Sequence, residues 1–261
     1  IPELLRSGRG YEICYALKGL WIYNRRESYY AGNTKWSNRA AVKPTAVYHR
    51  FDLEYGSKLW ILNDPAEDFK NMSQEVEKCP MEKMSGLVGD QFNCSLRTHL
   101  LYAQWSTEVS DDHIEVMEDR IDHLMSDKEY CFNTKYLESA YSDYDDTGNQ
   151  SRTDFEPIKA IVEATHRAAD TFDVNVKSLS KLKAFYLNLV ADIRAFPVAG
   201  DNGDATKHAI SDFAKDLQNY IIQHFNLRDR AKGALHMAEL SQMNWATQNE
   251  LRIKRIGIKV R

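Results

Sequence analysis

The hydrophobic period of this chain changes once. Up to about residue 62 apolar side chains alternate in twos, and beyond about Pro65 they recur every three or four residues. That change predicts an α+β protein: an N-terminal antiparallel β-rich region over residues 1–62, followed by a mainly α-helical region over 63–261.

Within the first region, Tyr11 to Leu17 and Leu20 to Tyr23 are two β-rich runs, and Lys18-Gly19 between them predicts a hairpin turn. A second hairpin runs from Ala46 to Tyr55, turns at Gly56-Ser57 and returns through Leu59 to Leu62. Val47, His49, Phe51, Leu53 and Tyr55 share one face of it, and Pro44 stands just before the strand.

In the second region, Ile114, Met117, Ile121 and Leu124 lie at helical spacing, with Ser110 and Asp111 as caps. Ile158, Ile161 and Val162 mark a helix opened by Pro157. Leu179, Leu182, Phe185, Tyr186 and Leu189 mark another that ends before Pro197. Ile210, Phe213, Leu217 and Ile221 form the most regular stripe, on a helix from about Ala205 to Phe225 that faces a core. A less regular helix covers Asp229 to Glu250. Residues 251–260, rich in isoleucine and interrupted by Gly257, read as a strand returning to the sheet.

Hydrophobic residues make up 43% and charged residues 28% of the chain, the balance of a soluble globular protein. No apolar run is long enough to span a membrane. Charge is unevenly spread: about +5 over residues 1–61, about −13 over 62–155 and about +4 over 156–261, counting Lys and Arg against Asp and Glu. An acidic block between basic ends favours cations or basic partners. Cys14, Cys79, Cys94 and Cys131 have neither zinc-finger nor CxxC spacing, so two disulfides and four core thiols both remain open.

The acidic block ends in the segment with the sharpest motif. From Asp143 to Asp154, oxygen donors stand at positions 1, 3, 5, 9 and 12 and a glycine at position 6, the spacing of an EF-hand calcium loop. Asp143, Asp145, Thr147, Ser151 and Asp154 offer side-chain oxygens, and Asn149 its carbonyl. Ca²⁺ is therefore the expected ion, and with it an extracytoplasmic compartment. Ser139 and Ser142 stand where an EF-hand carries apolar residues, Gln150 is polar at the loop-pairing position, and Asp154 replaces the usual glutamate. An acidic surface turn held by side-chain-to-backbone hydrogen bonds accounts for the same residues.

Asp143-x-Asp145-x-Thr147 also resembles the nucleophile motif of haloacid-dehalogenase-like phosphatases, and Gly200-Asp201-Asn202-Gly203-Asp204 resembles that family's metal-binding segment. The resemblance implies a metal-dependent phosphohydrolase in which Asp143 attacks phosphorus and Asp145 serves as acid and base. Two weaker arrangements involve histidine. Glu163/His166 and its reversal His236/Glu239 have the spacing of di-iron bundle ligands, and Glu115, Asp119 and His123 share one helix face. Ordinary solvated helix faces explain both more simply. No Gly-x-Ser-x-Gly or phosphate-binding glycine loop is present.

Aromatic residues crowd the first sixty positions, with Arg25, Arg26, Lys35, Arg39, Lys43 and Arg50 among them. Buried strand faces account for most. Tyr29, Tyr30 and Trp36, near Arg25 and Arg39, form a candidate ligand platform for an unidentified protein, glycan or nucleic acid. The chain thus reads as a binding protein with a cation-stabilised loop. The alternatives are the phosphohydrolase and a subunit of a larger assembly, whose helical stripe faces a partner chain.

Overall fold

A computed structural model describes residues 3–7, 10–22, 40–63, 65, 88–133, 155–191 and 203–259. The protein is α+β. Four strands, β1 (Glu3–Ser7), β2 (Gly10–Ile22), β3 (Ala40–Asp52) and β4 (Lys58–Asn63), pair antiparallel in sequence order. Three helices follow among the described residues: α1 (Val88–Asn133), α2 (Phe155–Ala191) and α3 (Gly203–Lys259).

The expected turn at Lys18-Gly19 does not form. β2 runs straight through both residues, which pair with Pro44 and Lys43 of β3. Gly19 is there for space: a Cβ would lie 3.0 Å from the Trp105 ring, which packs against the strand at that point. Pro44 accordingly lies inside β3 rather than before it. β4 pairs only with Ala46 to Phe51, so at Pro44 one edge of β3 lies beyond its reach, where a missing N–H is tolerated.

The second hairpin forms where the alternation places it. Gly56 adopts φ 69° in its turn, and Asp52 Oδ1 accepts the N–H groups of Glu54 at 2.8 Å and Tyr55 at 2.9 Å. Tyr11, Ile13, Tyr15 and Leu17 of β2 and Thr45, Val47, His49 and Phe51 of β3 are buried, so the period-two pattern selects the core face. Tyr55, assigned to that face, is 73% exposed because the chain has already entered the turn.

The described helices are longer than the caps suggested. Ser110 and Asp111 lie within α1, where Ser110 Oγ donates to the Ser106 carbonyl at 2.6 Å and so is satisfied without ending the helix. The two stripes after Pro157 belong to the single helix α2, with Pro157 in its first turn. Residues 251–259 are not a strand; α3 continues through them to Lys259. Extending an existing helix costs only one residue's ordering per new hydrogen bond, and the Lys254–Glu250 pair at 2.7 Å supports that turn.

Two compact units result. The first holds residues 1–111 and 171–227, and the second holds 112–170 and 228–261. In the first, the sheet's inner face packs on Phe92, Leu96, Tyr102 and Trp105 of α1, on Leu179, Leu182 and Tyr186 of α2, and on Ile210, Phe213, Leu217 and Ile221 of α3. The stripe on α3 therefore faces this core. The second unit has a smaller centre of Ile121, Ile161, Ala234 and Ala238, and a two-pronged Arg230–Glu118 ion pair with its shorter contact at 2.7 Å. The sheet thus shares one core with segments of all three described helices.

Candidate functional site

The polar groups of the first unit gather beneath the sheet. Alternation along β3 sends His49 inward, and α1 presents His99 to it, with His99 Nε2 and His49 Nδ1 3.2 Å apart. His99 Nδ1 lies 2.7 Å from the Tyr15 hydroxyl of β2. Trp60 of β4 stacks on the His49 ring with centroids 3.9 Å apart. Both imidazoles are fully buried, and His49 Nε2 has no hydrogen-bond partner among the described residues.

Burial sets the charge state of this group. It lowers the His49 pKa to about 3, with the Lys58 ammonium adding to the shift, and it holds His99 well below the usual histidine range, with His49 adding to that. Tyr11, Tyr15 and Tyr186 are raised above ordinary phenols for the same principal reason. Tyr11 and Tyr186 meet hydroxyl to hydroxyl at 3.3 Å. The cluster is neutral and densely ringed, a packing arrangement whose polar atoms pair off except for His49 Nε2.

A second buried pair, Ser106 Oγ and His224 Nε2 at 3.0 Å, has the atoms of a nucleophile and its base. Its surroundings do not suit catalysis. Both residues are fully buried, Ser106 Oγ also donates to the Ala103 carbonyl at 2.8 Å, and His224 Nδ1 has no group to orient it among the described residues.

On the sheet's outer face stand Cys14, Tyr48 and Ile61 in one cross-strand row and Glu12, Arg50 and Leu59 in the next. Cys14 is an exposed free thiol, and Ile61 and Leu59 are 54% and 49% exposed. Glu12 and Arg50 approach to 3.7 Å at the surface, a geometry of little energetic weight. Cys94 is also a free thiol and accepts from Lys58 Nζ at 3.0 Å.

The sequence-derived candidates fall elsewhere. The loop of Asp143, Asp145, Thr147, Asn149, Ser151 and Asp154 lies outside the described residues, and so do Arg25, Tyr29, Tyr30, Trp36 and Arg39. The Asp143 and Asp145 of the phosphatase resemblance share that position, and α2 occupies much of the chain between them and Asp201. Glu163, His166, His236, Glu239, Glu115 and Asp119 lie on helix surfaces and are exposed or half-buried. Among the described residues, no three His, Cys, Asp or Glu side chains are placed to share a metal ion. Of the early aromatics that are described, Tyr11, Tyr15 and Phe51 are core. Sequence reasoning misses the His49–His99 meeting; only the inward register of His49 is legible from alternation.

Comparison with known proteins adds one finding. The family described as CorA-like transporters matches residues 1–129, which covers the whole sheet and α1 as far as Glu129. No curated protein matches the chain. Among the described residues, no helix is long and apolar enough to cross a membrane.

Proposed function

We propose that this chain belongs to a CorA-like transport system and that its described residues work outside the bilayer, in association with a divalent cation. The match over residues 1–129 carries the reading, because it spans the four strands and the helix that packs on them. The charge distribution supports it: residues 62–155 carry about −13, a field that concentrates divalent cations more strongly than monovalent ones.

Within that block, segment 143–154 is the part we assign to direct cation contact. Its donors are hard oxygens, and their spacing suits the larger, more flexible shell of Ca²⁺ better than the strict octahedron of Mg²⁺. Two measurements test the proposal. Uptake of a divalent cation by cells producing the protein, read with an intracellular indicator, should exceed that of matched cells lacking it; equal uptake removes the transport reading. Calorimetry on the purified chain should show micromolar-to-millimolar Ca²⁺ binding that Asp143→Asn weakens. An absence of heat with both Ca²⁺ and Mg²⁺ removes the cation contact.

A further inference from the structure

We propose that His49 and His99 form an acid-sensitive latch between strand β3 and helix α1, closed when the pair is neutral and forced open when both rings are protonated. The proposal is separate from the transport reading and rests on the hydrogen-bond arithmetic of the buried chain Tyr15–His99–His49.

The three groups run in line. The Tyr15 hydroxyl meets His99 Nδ1 at 2.7 Å, His99 Nε2 meets His49 Nδ1 at 3.2 Å, and the chain stops at His49 Nε2, which has no partner among the described residues. Neutral rings satisfy this line in either direction, because each imidazole has one donor and one acceptor. One added proton is also accommodated. A protonated His49 donates from Nδ1 to His99 Nε2 and rests its face on Trp60, whose ring centroid lies 3.9 Å away. A second proton is not: His99 Nε2–H and His49 Nδ1–H then point at each other across the same gap, and two like charges share a dry interior.

The surroundings offer no relief. From β2 the neighbouring titratable groups are Tyr11 beside His49 and Tyr15 beside His99, and from α2 Tyr186 beside His99. Phe213 of α3 also packs on His99, and the cationic Lys58 of β4 already disfavours charge on His49. None of these neighbours is a carboxylate. Burial lowers both histidines, so neither charges until the pH is well below the ordinary histidine range. The two rings face each other from different elements, so the relief available to a doubly charged pair is separation of β3 from α1.

The line has room for one added proton and not for two, but burial keeps even the first off the folded form until well below the ordinary histidine range. Over that range the equilibrium with the opened form therefore shifts about tenfold per proton for each pH unit below the unfolded histidine range, about a hundredfold for the pair. The test is an acid titration of the whole chain from pH 7.5 to 4, read by near-ultraviolet circular dichroism of the core rings and by histidine proton resonances. The wild-type protein should lose its ring signal in a transition steeper than a single proton allows, with the His49 and His99 resonances changing only as the signal goes. The double variant His49→Phe, His99→Gln retains a hydrogen-bond partner for Tyr15 and should move the midpoint down by at least half a pH unit with a shallower slope. An unchanged midpoint and slope in that variant overturns the latch. If the variant does not fold at pH 7.5, the wild-type resonances decide. Reversible titration of either histidine near pH 6.5 with the ring signal intact also overturns it, as does a wild-type ring signal that persists to pH 4.

Discussion

The side chain of Asn175 holds both backbone groups of Lys18. Its Nδ2 donates to the Lys18 carbonyl at 2.8 Å, and its Oδ1 accepts the Lys18 N–H at 2.9 Å. A primary amide reproduces the donor and acceptor of a peptide, so α2 supplies here what an adjacent strand residue would. The position calls for it: among the described residues β1 pairs with β2 only as far as Cys14, which leaves that edge of β2 at Lys18 to be met by α2.

Replacing Asn175 by aspartate keeps the acceptor and its size but removes the donor, setting a carboxylate oxygen against the Lys18 carbonyl. Asn175→Asp should cost about 1–3 kcal/mol, the range for one buried hydrogen-bonding group left unsatisfied. Urea denaturation at neutral pH measures it. A loss under about 0.5 kcal/mol would show the contact to be incidental, since surface changes have effects of that size.

Gly19 provides a steric test of the uninterrupted strand β2. A methyl group added there would lie 3.0 Å from Trp105, a ring that is buried and stacked flat on Tyr102 at 5.5 Å between centroids. Gly19→Ala should therefore destabilise by about 1–3 kcal/mol, as overpacking does. Were Gly19 in a mobile hairpin turn, the added methyl would be harmless, and a melting temperature equal to the parent's would indicate that.

Phe213 sits where α3 meets the ring cluster, edge-on to Tyr186 with centroids 4.9 Å apart. Phe213→Ala should cost about 3–5 kcal/mol through lost burial and the cavity left behind. Thermal unfolding within a degree or two of the parent would place this side chain at the edge of the core instead of inside it.

How much of this is legible in the sequence depends on range. Local periodicity places the Gly56 hairpin, the inward faces of β2 and β3, and the α3 stripe, because a period of two or of 3.6 reports directly which side of an element is dry. It misses the continuity of β2 at Gly19, where the residue is explained by a ring far along the chain, at Trp105. It also starts α1 too late, because Ser110 has the chemistry of a cap but is satisfied inside its own helix, and it stops α3 too early at an isoleucine-rich end that reads as a strand. The link between Asn175 and Lys18, and that between His49 and His99, join elements far apart in the chain. No spacing rule within either segment encodes such a meeting. The acidic loop and the aromatic platform are the most distinctive motifs, and both fall outside the described residues.

Buried histidines outside the proposed latch give two further pH predictions. His224 is buried with Nδ1 unpartnered among the described residues, and burial lowers its pKa to about 4. A folded pKa below the unfolded value of about 6.5 means its neutral form is favoured by folding. That contribution is fully present above pH 6.5 and is lost as the pH falls toward 4, at about 1.4 kcal/mol per pH unit. His224→Gln should thus remove about 2 kcal/mol of the stability change between pH 7.5 and pH 5, measured by urea denaturation at both values. An identical pH dependence in the two proteins would show that His224 does not titrate on unfolding.

His113, in the second unit, carries the same sign with the opposite consequence for its removal. It is buried, neither ring nitrogen has a hydrogen-bond partner among the described residues, and burial, with the charge of Arg120 second, lowers its pKa to about 4. Two unsatisfied buried polar atoms are a standing cost, and leucine fills a similar volume without them. His113→Leu should therefore stabilise by about 1 kcal/mol at pH 7.5. Its advantage should widen below pH 6.5, because the wild-type protein continues to lose stability toward pH 4 while the variant has nothing there to protonate. Denaturation curves at pH 7.5 and pH 5 that favour the wild-type protein at either value would mean the ring is satisfied in solution, and the assigned cost of its burial would be wrong.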